Sequence, residues 1–487
     1  MQIQVNCPQC GGKIDFDEKS FVIRCDFCGS TLHLVGKDQI CHFRLKPKWN
    51  RKEAAFYFSR LLARKFGKSA ELLNLKLIYA PYWRIHGMVF RWVFGKKLVR
   101  SSVSTPFGTY REDTKKLLTK LLDLSFPAFE GVSLGLQSLG VRTSALPLFI
   151  FGNIPAIPGT AFLSINTSFD YAIKYMRAFV NVGLETGEIQ PELDDTQEIG
   201  EQYSIVYFPF WLLRVKTREK KEILVTEAIS NSTIKRLDKK EITSLKELIL
   251  KPGGNISLPT LRFIPFKCPE CGWELPFHPY NSVHICETCS RGWFEYGGKF
   301  HRVPYKAVEV PRKVPEDQVI FLPFWKIKMS IRTSTGYVKS IYEITGRGYQ
   351  PYRKKLLVDE QEEPMNFMIP AFKIRNSNAF NKIAASLTAN PSKYHYIDNV
   401  NAKKLRFGGV NLSFSEAEEM SRVVLLSLIP PFARKSVEKL KGAVFEFSGH
   451  ELLYLPFKEE RLFLRDPQTG FAIQKGTVYL EEPGHNS

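Results

Sequence analysis

Four stretches of the chain share a short signature in which aromatic and apolar residues bracket a proline. They are Tyr79-Ala-Pro81-Tyr-Trp83, Tyr207-Phe-Pro209-Phe-Trp211, Phe321-Leu-Pro323-Phe-Trp325 and Tyr454-Leu-Pro456-Phe457. The fourth carries Lys458 where the others have Trp. After Trp325 apolar and basic positions alternate, with Ile327, Met329 and Ile331 on one side and Lys326, Lys328 and Arg332 on the other. A period of two is that of a half-buried strand. Proline has no N–H to give a ladder, so each signature is expected at the start of a strand or on a sheet edge.

Elsewhere the apolar spacing is helical. Asn50 and Glu53 form an N-cap and N3 pair. Ala54, Phe58, Leu61, Leu62 and Phe66 then make one apolar stripe, while Arg60, Arg64 and Lys68 step by four along another face. Ser415 with Glu418 reads as a capping box before Val423, Val424, Leu425, Leu426 and Leu428. Residues 113–124 and 169–180 also read as helices. The acidic stretches at Glu192, Asp194, Asp195 and Glu198, and at Glu360, Glu362 and Glu363, read as solvated linkers. Strands and helices mix without regular β-α alternation, which predicts α+β rather than a doubly wound sheet.

The chain has 487 residues. Its longest uncharged stretch, 143–169, contains Pro147, Pro155, Pro158, Gly152 and Gly159. That many breakers predict buried strands and turns rather than a membrane span. The N-terminal residues show neither the basic nor the apolar region of a secretory leader, so the expected compartment is the cytoplasm.

Eight of the nine cysteines fall in Cys-x-x-Cys pairs: Cys7/Cys10, Cys25/Cys28, Cys268/Cys271 and Cys286/Cys289. No pair is followed by His, which excludes covalent c-type haem by its own motif. In both sets fourteen residues separate the second cysteine from the third. Each Cys-x-x-Cys turn offers two sulfurs to one side of a metal, and a short hairpin returns the second pair. Four thiolates suit tetrahedral Zn²⁺ and close its shell, so two structural zinc ions per chain are expected. Gly11, Gly29 and Gly272 follow a cysteine where a tight turn needs positive φ or close backbone approach to sulfur, and Ser290 departs from that pattern, weakening the fourth turn but not the ligand count. His278 and His284 read as loop residues, and Cys41 as a buried core thiol.

The signature prolines recur at offsets of 242 residues (Pro81 to Pro323) and 247 (Pro209 to Pro456), and the first cysteines at 261 (Cys7 to Cys268). Two nearly equal offsets predict an internal duplication, each copy being a ribbon followed by two signature strands. The expected organisation is ribbon 1 at 1–40, a first α+β unit at 41–262 with the extra basic helix near 50–68, ribbon 2 at 263–300, and a second α+β unit at 301–487. The fold class expected is α+β: two rubredoxin-like zinc-ribbon hairpins plus a duplicated mixed unit with antiparallel strands.

The first ribbon, the Lys/Arg-rich helix and the Tyr-x-Pro-Tyr/Phe-Trp strand resemble a family of bacterial and archaeal zinc-ribbon proteins, often labelled transcription-factor-IIB-type ribbon or primosomal-helicase-like. The resemblance rests on Cys7–Cys28 and Arg44–Trp83, recurs more loosely from Cys268 to Trp325, and extends to Ile369–Ile374 and Asn376–Phe380. It implies no particular activity. A helicase's phosphate loop is not present at Gly67-Lys68-Ser69, because Leu62 stands where the earlier glycine belongs.

Lys and Arg exceed Asp and Glu by 20. Residues 44–100 hold 15 Lys/Arg against 2 Asp/Glu, whereas 151–200 hold 2 against 7. Aromatics interleave with the basic run at Phe56, Tyr57, Phe58, Phe66, Tyr82, Trp83 and Trp92. Three partners suit such a segment: an acidic protein, DNA or RNA, and an anionic membrane surface. Arg60, Arg64 and Lys68 would carry the contact to nucleic acid or to an acidic partner, and the basic amphipathic helix would carry it to a membrane. No metalloprotease, nucleophile-elbow or dinucleotide motif occurs, no small-molecule substrate is suggested, and His86 reads as a satisfied histidine. The sequence therefore predicts a non-enzymatic zinc-binding interaction scaffold, with a nucleic-acid-binding protein as the leading specific alternative and peripheral membrane association as a further one.

Overall fold

The computed structural model describes residues 2–37, 39–67, 69–100, 109–139, 146–151, 159–217, 220–231, 234–250, 261–338, 340–345 and 365–480. It is a strand-rich α+β protein of two compact units. Unit 1 holds residues 1–87, 122–182 and 201–264, and unit 2 holds 88–121, 183–200 and 265–487. Three long strands, Glu71–Arg100, Thr109–Pro127 and Ile189–Lys216, divide their residues between the units.

In unit 1 the short strand Cys41–Arg44 runs parallel to Ser204–Tyr207 and antiparallel to Leu148–Ile150. Leu148–Ile150 in turn lies parallel to Gln2–Asn6, the strand that leads into Cys7. Alternate residues Phe43, Ile78, Val206 and Phe208 point into one core with Ile3, Val5, Leu32 and Leu34 of the ribbon. The helix Arg51–Phe66 has the expected capping box, with Asn50 Oδ1 accepting from Glu53 N and Glu53 Oε2 accepting from Asn50 N. Of its apolar stripe Ala54, Phe58 and Leu62 are buried, while Leu61 and Phe66 are half-buried. Cys41 is buried as expected.

In unit 2 the central strand Val319–Thr333 pairs antiparallel with Val444–Glu459 and with Met365–Pro370. Ile327, Met329 and Ile331 are fully buried and Lys328 and Arg332 exposed, which is the alternation read from the sequence. The helix Phe414–Leu428 covers this face with Val423, Leu425 and Leu426, joined in the same core by Phe90, Trp92 and Phe94. Trp92 Nε1 donates to Val423 O at 2.9 Å. Lys115 Nζ closes the end of that helix by donating to the carbonyls of Ser427 and Ile429.

One set of hydrogen bonds occurs in both units. Pro81 O accepts from Ala128 N at 2.9 Å, and Pro323 O from Ala371 N at 2.9 Å. Ala128 O accepts from Asn166 N and Ala371 O from Asn411 N, while each Asn Oδ1 accepts a further main-chain N–H, from Glu130 and Lys373 respectively. Ser168 and Ser413, two residues on, cap the helices Phe169–Phe179 and Phe414–Leu428. Tyr207 O accepts from Leu45 N, and Tyr454 O from Val308 N.

The structure corrects several expectations. Residues 113–124 are strand, not helix. Leu118, Leu122 and Phe126 are buried at steps of four, a multiple of the strand period as well as close to the helical one, and pairing with Glu71–Arg100 decides between them. The second capping box is Ser413 with Glu416, not Ser415 with Glu418. Asn411 and Leu412 both donate to Ala371 O and hold the chain extended up to that point, so the helix starts at the earlier of the two overlapping boxes. The signature prolines sit inside strands rather than at their starts. Pro323 lies where Val319–Thr333 changes neighbours, with Gly408 N bound to Phe321 O before it and the pairing with Pro370 beginning at Phe324, so no ladder N–H is missed.

Glu192, Asp194 and Asp195 belong to a strand and not to a linker. Asp194 pairs with Arg91 at 2.8 Å, buried Asp195 with Arg422 at 2.8 Å, and Glu192 with Arg434. Nearby cations neutralise carboxylates that a linker would leave to water. Glu360, Glu362 and Glu363 lie outside the described residues. His284 is a buried strand residue, packed edge-on to Phe266. Among the described residues no helix is long and apolar enough to cross a membrane.

Candidate functional site

In each ribbon the strands end just before the cysteine turns, and the turn backbone is built the same way four times. Gly11 N donates to Cys7 O, Gly29 N to Cys25 O, Gly272 N to Cys268 O and Ser290 N to Cys286 O, all at 2.8–2.9 Å. The donor residue in each turn takes positive φ: 74° at Gly11, 72° at Gly29, 77° at Gly272 and 55° at Ser290. Ser290 thus accepts the left-handed conformation at a cost that glycine avoids. Its side chain finds a use there, since Ser290 Oγ accepts from Ala402 N at 3.0 Å.

These turns bring together all eight predicted ligands in two groups. Within each group the four sulfurs lie within 4.8 Å of one another. The Cys7–Cys28 and Cys10–Cys25 sulfurs are 3.8 and 3.7 Å apart, and the Cys268–Cys289 and Cys271–Cys286 sulfurs 3.6 Å apart in both cases. A tetrahedron with metal–sulfur bonds of about 2.3 Å has edges of about 3.8 Å. The spacing therefore fits a four-coordinate ion, and disulfides are not formed. In the first group Gly12 N points at Cys10 Sγ at 3.4 Å, and Ser30 Oγ lies 3.1 Å from Cys28 Sγ. Four sulfurs complete the shell, so the arrangement can hold a metal and stiffen two hairpins, with no coordination position open to substrate.

The basic segment proves heterogeneous. Arg44 and Arg84 are buried, and Arg91 is committed to Asp194. On the helix Arg51–Phe66, however, Lys52, Phe56, Arg60 and Arg64 are exposed. Phe56 is 67% exposed, and the Arg60 guanidinium lies 5.5 Å from its ring centre. Lys68 lies outside the described residues. His86 is not the satisfied histidine expected: its Nδ1 is buried without a hydrogen bond, 3.9 Å from Glu18 Oε1.

Unit 1 also has a cleft of about 690 Å³, which sequence reading missed. Arg214, Lys220, Lys221, Arg236 and Lys239 line it together with Glu222 and Asp238. Both carboxylates are already committed, Glu222 to Arg236 at 3.0 Å and Asp238 to capping Glu241 N at 2.7 Å. Arg214, Lys220, Lys221 and Lys239 have no ion-pair partner among the described residues, so the cleft carries a net positive charge. Its cations come from three separate stretches of chain, and only the pairs Lys220-Lys221 and Lys239-Lys240 hinted at it.

Compared with protein-family models, with curated proteins and with solved structures, the chain matches none. The two Cys₄ groups are consistent with zinc ribbons, and the likeness to the ribbon family rests on the motif residues alone.

Proposed function

We propose that this chain is a non-enzymatic binding scaffold, stiffened by two structural zinc ions, that takes a polyanion on unit 1, with single-stranded nucleic acid as the class that fits best. The observation that carries this reading is the cleft whose carboxylates are spoken for while four cations are not. The exposed face of the basic helix, with Phe56 beside Arg60 and Arg64 one turn further on, adds a ring able to stack on a base among charges able to meet phosphates. The shared hydrogen-bond set supports reading the two units as copies of one duplicated unit, and the copies differ in that only unit 1 has the basic helix.

A second reading is docking of an acidic protein. It is favoured by two aromatics left open beside the cysteine turns, Phe27 at 72% exposure and Trp273 at 66%.

The test is a titration of zinc-loaded protein with a mixed-sequence single strand and a duplex at several salt concentrations. Micromolar binding that falls steeply with salt is expected. Charge reversal of Arg60, Arg64 and Lys68 should flatten that slope, as should reversal of Lys220 and Lys221. Unchanged binding in both variants would sink the assignment. Absence of nucleic-acid binding, with capture of an acidic protein lost on the same reversals, would transfer the surface to the second reading. Binding of anionic but not neutral vesicles would transfer it to a membrane.

A further inference from the structure

The two units build the same aromatic box and fill one corner of it differently. In unit 2 the strand Tyr305–Ala307 runs parallel to Leu452–Tyr454, with Tyr305 opposite Leu452 and Ala307 opposite Tyr454. The rings of Tyr305, Phe321, Phe407 and Tyr454 close on one another, Phe407 to Tyr454 at 4.3 Å and Tyr305 to Tyr454 at 5.7 Å. In unit 1 the strand Cys41–Arg44 holds the same relation to Ile205 and Tyr207. Tyr79, Phe162 and Tyr207 repeat the rings, with Tyr79 to Phe162 at 5.2 Å and Phe162 to Tyr207 at 5.9 Å. Here, though, the corner that Tyr305 and Ala307 fill holds His42 and Arg44.

Arg44 is 6% exposed, and neither its Nε nor its Nη2 has a hydrogen-bond partner. No carboxylate is paired with it among the described residues. His42, 9% exposed, has its Nδ1 equally without a partner. A guanidinium cannot shed its proton to relieve burial, as a lysine or a histidine can. Desolvating it without a counter-charge costs several kcal/mol. A duplicated framework that solves this corner with Tyr and Ala in one copy has no packing need for Arg in the other.

We infer that Arg44 anchors a buried binding site in unit 1 for a small carboxylate with an aromatic or apolar body. The single positive charge matches one carboxylate, whose two oxygens suit the guanidinium fork. A phosphate carries between one and two negative charges at neutral pH and would exceed the single positive charge of the corner. The rings of Phe151 and Phe162, both half-buried, offer the apolar wall, 5.1 Å apart and edge to face. The Tyr79 hydroxyl, pushed up to about 12 by burial against the pull of Arg44, is a neutral donor at working pH. This inference is independent of the polyanion reading, since it concerns a buried corner and not the exposed cleft or helix.

The experiment is calorimetric titration of the zinc-loaded full chain with benzoate, acetate and inorganic phosphate, at ionic strength held constant with chloride. Thermal unfolding is followed in the same buffers. Saturable one-to-one benzoate binding is expected, acetate weaker, phosphate weaker still, and a rise in the unfolding midpoint of about 2–4 °C at saturating benzoate. R44A, which installs the residue that unit 2 carries, should lower benzoate affinity at least tenfold and abolish the midpoint shift. R44K, which keeps the charge and loses the fork, should also weaken binding tenfold, and it serves if R44A does not fold. Failure of the wild type to bind benzoate would overturn the inference. So would preference for phosphate, or equal benzoate affinity in wild type and variants.

Discussion

In unit 1 the loop between the two cysteine pairs sends Glu18 to Arg84 on the first signature strand, an ion pair of 2.7 Å with side chains 9% and 4% exposed. In unit 2 neutral hydrogen bonds fasten the ribbon. The second ribbon is held by Ser282 N to Val410 O at 2.7 Å, by Tyr305 OH to Ser290 O at 3.1 Å, and by Asn281 with Asn411 at 3.1 Å. The cysteine geometry is the same, so the difference lies in what the hairpin is fastened to. A neutral anchorage tolerates changes of pH and loses little when one bond is removed. A buried ion pair leaves an uncompensated charge when either partner is lost. Ribbon 1 should therefore be the more fragile of the two towards acid and towards point mutation.

The largest effect expected is loss of metal. Cys268→Ser should lower bound zinc from two per chain towards one and destabilise unit 2, by an amount on the order of 10 kcal/mol if the ion is lost outright. Metal analysis with hydrogen exchange resolves which unit loosens, and unchanged zinc would overturn the ligand assignment. Next comes Glu18→Leu, which strands Arg84 with only the half-exposed Asp123. It should cost about 3–5 kcal/mol in unit 1, against about 1 kcal/mol for Asn281→Ala in unit 2. Equal losses in denaturant melts would erase the contrast.

Acid sharpens the same comparison. Burial pushes the Glu18 carboxyl up, but Arg84 and His86 pull it further the other way, and the net is below the ordinary 4.5. A depressed carboxylate stabilises the fold above its unfolded pKa and loses that contribution as pH falls through the folded value. Burial also pushes His33 and His42 down to about 4. Both are neutral in the fold, and the stability they lend is lost as pH drops from 6.5 towards 4. All three groups lie in or just after the first ribbon, whereas the lowered His450, Glu459 and Glu460 of unit 2 lie outside the second, so exchange protection at ribbon 1 should fall before that at ribbon 2 as pH goes from 7 to 4. Earlier loss at the second ribbon would contradict this. The smallest expected effect tests likeness rather than difference. Ser168→Ala and Ser413→Ala remove equivalent caps and should each cost about 1 kcal/mol, measured as separate melts.

How much of this was legible in the sequence follows from how local each signal is. A Cys-x-x-Cys turn and an Asn50/Glu53 box are decided within four residues, and both are found in place. Residues 113–124 read as helix because their leucines recur at four, a spacing that serves either structure, and only pairing with Glu71–Arg100 decides between them. The carboxylates at 192–195 read as a linker because Arg422 and Arg434, which neutralise two of them, lie more than two hundred residues away. The motif offsets of 242 and 247 were visible, whereas the shared Pro–Ala–Phe and Asn–x–Ser–Phe segments at 127–129 with 370–372 and 166–169 with 411–414 stand out only once their hydrogen bonds are aligned.

The three long strands whose residues are split between units also set a timetable for biosynthesis. Phe90, Trp92, Phe94 and Leu117 are made early, yet the helix they share a core with, Phe414–Leu428, is made some three hundred residues later. At typical elongation rates of about 5–20 residues per second, that is a wait on the order of 15–60 s. Through that interval the nascent chain carries an apolar strand without the helix that shares its core. Expression should thus be limited by chaperone supply during synthesis more than by the stability of the finished fold, and slowing translation should lower soluble yield rather than raise it.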